Sequence, residues 1–157
     1  MLYQNDTYFF TLLSRFQRNY SKALAMRLSP YDVNPGYLSV LHTLWQQDNI
    51  IQKELNKHVC IEQATLSNTL ARMERDGLIE RKAGTEDRRL LQICLTVKGH
   101  DLQAAVTAAI EDLKKTVNTG LTINDRKYFK RIMKQMTEHL ENDLHDPCLM
   151  LFDEISE

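Results

Sequence analysis

A change of period at Gly77 narrows the choice of fold more than any other feature. Before it, Leu66, Leu70 and Met73 recur at helical spacing across residues 62–76, which is the inward stripe of an amphipathic helix. Gly77 suits the left-handed position that ends such a helix. After it, residues 78–83 and 90–95 lose the helical spacing and carry Ile79, Ile93 and Leu95, side chains that favour a pleated strand. Between these runs lies the charged stretch Gly84-Thr85-Glu86-Asp87-Arg88-Arg89, expected as a hairpin tip. Thr96 then opens another helix.

The remainder reads as helix. Five glycines and three prolines leave long stretches without a breaker. The first helix is expected over 6–28, with Leu12, Phe16, Tyr20, Leu24 and Leu28 at i+4, and Ser29-Pro30 as its stop. Asn34-Pro35-Gly36 is a start signal, since Asn34 can cap and Pro35 fits the first helical position. That helix runs to about Gln47, Asp48-Asn49 breaks the chain, and a short helix follows over 50–59. Beyond the hairpin, Leu102, Val106, Ile110, Leu113 and Val117 line one helix, Gly120 interrupts, and Tyr128, Ile132, Met136, Leu140 and Leu144 line another over 123–144. The first and the last two helices carry wider apolar stripes than one small unit can cover. They bundle with each other or with a second subunit.

Charge and cysteine usage bound the function. The net charge is −1, yet residues 141–157 hold six acids and no Lys or Arg, so the preceding 140 residues have 20 bases against 15 acids, a balance of +5. An acidic tail can mask a basic body; a solvated terminus is the plainer reading. Cys60, Cys94 and Cys148 are odd in number and far apart, suggesting neither a disulfide framework nor a zinc pair. No stretch is apolar enough to span a membrane, the start does not read as a signal peptide, and the expected compartment is the cytoplasm. No phosphate loop or nucleophile motif appears, so an enzyme is not expected and no cofactor is assigned.

Residues 50–99 carry the function. Two helices across a tight turn, then a hairpin, match a winged helix-turn-helix, whose second helix presents its N-terminal residues to base edges in the major groove of double-stranded DNA. In that helix Gln63, Thr65, Ser67 and Asn68 are hydrogen-bonding groups, Ala64 shares their segment, and Arg72 and Arg75 lie further along, suited to phosphates.

The run Leu55, Ile61, Thr65, Ser67, Leu70, Met73, Glu74, Gly77-Leu78-Ile79, Arg81, Asp87-Arg88-Arg89, Leu95-Thr96 and Gly99 resembles the MarR family of bacterial transcription regulators. The Asp-Arg-Arg tip followed by Leu-Thr-x-x-Gly is its most diagnostic part. The resemblance implies a homodimer on a palindromic operator, usually a repressor, with interlocked terminal helices. It implies a wing along the minor groove with one tip arginine inserted: Arg88 and Arg89 match the wing positions, one inserting and the other bracing, with the assignment open between them, and Asp87 orients one of them. Lys82 is read as lying near phosphate. The resemblance also implies a small aromatic or phenolic effector held between the dimer helices and the winged unit. Arg15, Arg18, Tyr37, His42 and Trp45 are candidate lining residues, with Tyr37 and Trp45 as core side chains the plainer reading. Two positions depart from the pattern: the turn His58-Val59-Cys60-Ile61 lacks the usual small residue, and Ile51 stands where a capping Thr or Ser is common, which leaves Asp48 or Asn49 as the cap.

The expected fold is therefore mainly α: a three-helix core plus two-stranded wing over about 36–98, and dimerisation helices over about 6–28 and 97–145. The whole chain, 1–157, is read as one such domain with an acidic tail at 146–157. Two rivals stay open, a winged helix that binds protein instead of DNA and a redox sensor acting through Cys60. His139, His145 and Cys148 lie close in sequence but match no standard metal spacing, so no metal is assigned.

Overall fold

The computed structural model describes residues 2–59, 61–84 and 90–144. The chain order is α1 (Leu2–Leu28), α2 (Leu38–Gln46), β1 (Ile50–Ile51), α3 (Gln52–Val59), α4 (Gln63–Arg75), β2 (Ile79–Ala83), β3 (Leu91–Leu95), α5 (Val97–Val117) and α6 (Ile123–Leu144). The fold is mainly helical. Its sheet is antiparallel with strand order β1-β3-β2.

The sheet has one strand more than the sequence suggested. Ile50 and Ile51 were expected to open a helix; instead they pair with Ile93 and Gln92 of β3, and α3 starts at Gln52. Asn49 at φ 58° turns the chain into this strand. Asp48, one of the two expected caps, instead spends Oδ1 on the N–H groups of Asn49 (2.8 Å) and Leu95 (2.9 Å), which ties the entry of β1 to the end of β3. α1 begins four residues before the expected start and stops at Leu28, where Ser29-Pro30 was expected to end it. Ser29–Tyr31 tighten into a 3-10 turn, closed by Asp32 N–H on the Ser29 carbonyl. The bond needs no N–H from Pro30, so the proline fits inside the 3-10 turn. Asn34 caps as expected, accepting from Gly36 N–H at 2.8 Å, although the first turn, Pro35–Tyr37, is 3-10.

One continuous core joins these elements. Leu28 of α1, Leu41 and Leu44 of α2, Leu55 of α3, Leu66, Leu70 and Met73 of α4, Ile79, Ile93 and Val106 are buried together. The end of α4 explains the Gly77-Leu78 signature. Leu78 N–H bonds the Met73 carbonyl (2.9 Å) and Gly77 N–H the Glu74 carbonyl (3.0 Å), with Gly77 at φ 73°; this is the paired-bond helix stop that favours glycine. The start of α5 locks onto that turn. Thr96 N–H bonds the Leu78 carbonyl (3.1 Å), and Thr96 Oγ1 donates to the Gly77 carbonyl (2.7 Å) while accepting from Gly99 N–H (3.1 Å). The Leu-Thr-x-x-Gly motif is thus a clamp between α4 and α5.

Away from the core, Arg27 of α1 pairs with Asp112 of α5 at 2.8 Å. Thr122 and Asp125 form a reciprocal cap on α6, each side chain accepting from the other's N–H. α6 has no buried residue.

A Cβ on residue 99 would lie 2.2 Å from the Leu78 carbonyl oxygen, so Gly99→Ala must displace backbone. We expect a stability loss at the upper end of the ~1–3 kcal/mol typical of overpacking. Gly77→Ala, where a Cβ meets nothing within 4 Å, should cost only its left-handed backbone, roughly 1–2 kcal/mol. Chemical denaturation at one protein concentration compares the two; equal or reversed losses contradict the clamp.

Candidate nucleic-acid interface

α4 is oriented by its own burial. Leu66, Leu70 and Met73 point into the core, so helical spacing turns Ala64, Thr65, Asn68, Arg72 and Arg75 outward, and all five are exposed. Gln63 is exposed at the first turn, where Glu62 supplies no side-chain cap. The N–H groups of that turn therefore remain available to an anion. Ser67 stands apart from the other expected base-reading residues. It is half-buried, and its Oγ accepts from Gln52 Nε2 at 2.9 Å, bridging the two helices of the helix-turn-helix. Beside it Gln52, Lys53, Asn56 and Gln63 line a cleft of about 490 Å³ between α3 and α4. The Asn56 Oδ1 atom is buried there with no hydrogen-bond partner among the described residues.

The far end of α4 is held by charge. Tyr37 is buried and its hydroxyl donates to Asp76 Oδ2 at 2.7 Å, while Arg75 Nε reaches Asp76 Oδ1 at 3.0 Å. Hydrogen bonds from Tyr37 and then Arg75 hold the Asp76 carboxyl below the usual carboxylate range. Burial, followed by the bond to Asp76, pushes the Tyr37 hydroxyl up. Lys98 Nζ adds a bond to the Asp76 carbonyl at 2.9 Å. Glu74 and Arg81 pair across the α4–β2 turn, which gives both motif positions a structural role. Lys82 is exposed near the tip of β2 and pairs with Glu80 at 2.7 Å. Gly84 N–H bonds the Leu90 carbonyl at the base of the hairpin (2.8 Å). Asp87, Arg88 and Arg89 lie outside the described residues, as does Cys60.

The expected effector-lining residues separate into two groups. Tyr37 and Trp45 have structural partners: Tyr37 serves Asp76, and Trp45 Nε1 donates to the Gly99 carbonyl at 2.9 Å. His42 is exposed and pairs with Gln46; Arg15 and Arg18 are exposed on α1. A groove of about 540 Å³ lies elsewhere, between Phe9, Leu12 and Phe16 of α1, Val117 at the end of α5, and Phe129, Ile132 and Met136 of α6. Cys94 is buried, and burial raises its thiol pKa, which disfavours a reactive thiolate. His145 and Cys148 lie outside the described residues; among the described residues no group of three His, Cys, Asp or Glu side chains is placed to hold a metal. No helix of the described residues is long and apolar enough to cross a membrane.

Two helices across a short turn, braced by Ser67, and a following antiparallel hairpin define a winged helix-turn-helix protein. The MarR family profile matches residues 33–91. The HTH-type transcriptional regulator TtmR of Methylorubrum extorquens (strain PA1) is 31% identical over 127 residues, 80% of this chain; the chain spans 61% of that relative's length. The solved transcriptional regulator PA3341 is 32% identical, with 85% of this chain and 98% of that one aligned at a TM-score of 0.66. The organohalide-sensing regulator RdhR-CbdbA1625, solved with 2,4-dichlorophenol bound, shares the fold at a TM-score of 0.77 and 16% identity, over 85% of this chain and 80% of that one. The chain belongs to the MarR family.

Asp76 supplies a pH test. Its folded pKa lies below its unfolded value, so its contribution to stability is present above the ordinary carboxylate range near ~4 and is lost as pH falls through the depressed value. Removing the Tyr37 hydroxyl lets the Asp76 pKa rise towards the unfolded one. Tyr37→Phe should therefore show a shallower loss of thermal midpoint between about pH 5 and pH 3 than the parent protein. Parallel curves would mean that Tyr37 does not hold the carboxylate.

Proposed function

We propose that this protein is a homodimeric regulator of transcription that binds a palindromic operator in double-stranded DNA, acting as a repressor in the cytoplasm. The outward face of α4 supports the reading most directly. It is a row of short polar side chains followed by two arginines, on a helix whose other face is locked in the core. Gln63, Thr65 and Asn68 read base edges, with Ala64 giving close approach and Ser67 contributing from its brace with Gln52. Arg72, Arg75 and Lys82 take phosphates. Arg88 and Arg89 of the tip enter the minor groove, with Asp87 orienting one of them.

The helices over 6–28 and 97–145 pair two copies of the unit at 36–98, and the chain acts as one domain. The exposed apolar surface supports this pairing: Phe9, Phe10, Phe129 and Leu140 are each at least half exposed, and a soluble monomer rarely leaves so large a contiguous patch in water. A small aromatic or phenolic effector acts by favouring a dimer in which the two α4 helices are wrongly spaced for DNA. Arg15, Arg18 and His42 are the expected lining residues still facing solvent, and the dichlorophenol bound by RdhR-CbdbA1625 sets the chemistry to try first.

The binding test uses DNA from upstream of the protein's own gene, or a palindrome selected from random DNA, with excess competitor. Asn68→Ala should lower specific affinity while leaving nonspecific affinity nearly unchanged. Arg88→Ala/Arg89→Ala should abolish competitor-resistant binding, and Arg72→Ala should weaken specific and nonspecific binding alike and flatten the salt dependence. Binding that is insensitive to salt and to all three variants would favour the protein-binding rival. Phe129→Glu/Met136→Glu should convert the dimer to monomer by light scattering and weaken operator binding at least about tenfold, since each half-site then binds alone. A dimer that survives the double substitution would place the subunit interface elsewhere.

A further inference from the structure

α6 carries a feature that neither the core nor the proposed dimer uses. Lys127, Lys130, Arg131 and Lys134 follow i, i+3, i+4, i+7, one stripe of the helix. Phe129, Ile132, Met133 and Met136 line the apolar groove on the opposite side. A second copy seated in that groove leaves the cationic stripe in water. All four cations are exposed. Lys134 meets Glu138 at 3.7 Å and Arg131 lies over the Tyr128 ring at 4.6 Å. Among the described residues, Lys127, Lys130 and Arg131 form no ion pair.

The placement is unfavourable for an isolated helix. Lys127, Lys130 and Arg131 lie in the first half of α6, where Asp125 is the one acid; Lys134 lies just past the midpoint, Glu138, Glu141 and Asp143 follow it, and the last turn has no basic residue. This order opposes the helix dipole, which favours acids at the N-terminus and bases at the C-terminus. α5 is anchored to the end of α4 at Thr96, and the groove begins at Val117, twenty-one residues on, about 31 Å along a helix.

We infer that the cationic stripe of α6 is the docking surface for the acidic segment that follows it, residues 145–157 of the same chain. That segment holds Asp146, Asp153, Glu154 and Glu157 and no Lys or Arg, so its charge is the complement of the stripe. Its length fits. Lys127 lies seventeen residues before Leu144, about 25 Å back along the helix. Asp153 lies nine residues after Leu144, within about 30 Å of extended chain. The run Leu149-Met150-Leu151-Phe152 gains from leaving water, and Tyr128, 62% exposed, stands on the flank of the stripe to receive it. Docking places acids over the first half of α6 and corrects its charge order. It also keeps the acidic segment off the DNA-reading face, and it does not depend on DNA binding.

Zero-length carbodiimide cross-linking of the full chain, read by mass spectrometry, tests this. At low salt we expect links from Lys127 and Lys130 to Asp153 and Glu154. They should fall at least tenfold at high salt and vanish in Lys127→Glu/Lys130→Glu/Arg131→Glu. Links should return when Asp153→Lys/Glu154→Lys is added to that variant, now between residues of exchanged charge. Circular dichroism and light scattering verify that each variant keeps its fold and oligomeric state. Links from Asp153 or Glu154 to Lys53, Lys57 or Lys82 instead would overturn the proposal by placing the acidic segment over the winged unit. An intact protein that yields no link to Lys127 or Lys130 at low salt would overturn it as well.

Discussion

The carbonyl groups of Gly77 and Leu78 are the point on which the rest of the structure hangs. The N–H groups of the same two residues end α4, and Thr96 takes both carbonyls, one through its hydroxyl and one through its N–H. Gly99 then lets α5 approach so closely that no side chain fits against Leu78. Because the same two residues close one helix through their N–H groups and anchor the next through their carbonyls, the direction of α5 is fixed relative to the direction of α4. α5 leads to the surface on which a second copy is proposed to sit, so the spacing of two reading helices depends on this joint.

The same joint receives the polar atoms of the aromatic side chains that sequence reading offered to an effector. Trp45 donates to the Gly99 carbonyl and Tyr37 to Asp76, which also holds Arg75. A buried phenol or indole needs a partner for its polar atom, and here the partners are the elements flanking the reading helix. Tyr37, in the turn before α2, thus holds the end of α4, and Trp45 of α2 the start of α5. A ligand that perturbed either bond would act on Arg75 or on the start of α5 without touching DNA, a short mechanical route for coupling two sites.

Much of this was legible in the residues. α1, α4, α5 and α6 have long periodic stripes and clear punctuation, and Gly77, Thr96 and Asn34 end or cap helices as their chemistry suggests. The short strand β1 was not legible, because two residues carry no period and Ile50-Ile51 suits helix and strand alike. Ser67 read as a base-contacting hydroxyl, and its brace was hidden because Gln52 is fifteen residues away. The partners of Tyr37 and Trp45 lie 39 and 54 residues away, beyond any local pattern. The pairing of Glu74 with Arg81 was within reach: opposite charges seven residues apart, across a glycine turn, are a local signal.

A hydroxyl-radical footprint on a selected operator tests the central claim most directly, that two copies of the outward face of α4 read DNA from one rigid dimer. Two protected patches are expected on one face of the duplex, related by a dyad and centred about one helical turn apart, with weaker flanking protection where the wings lie. A single patch, or two patches on opposite faces of the duplex, would contradict it.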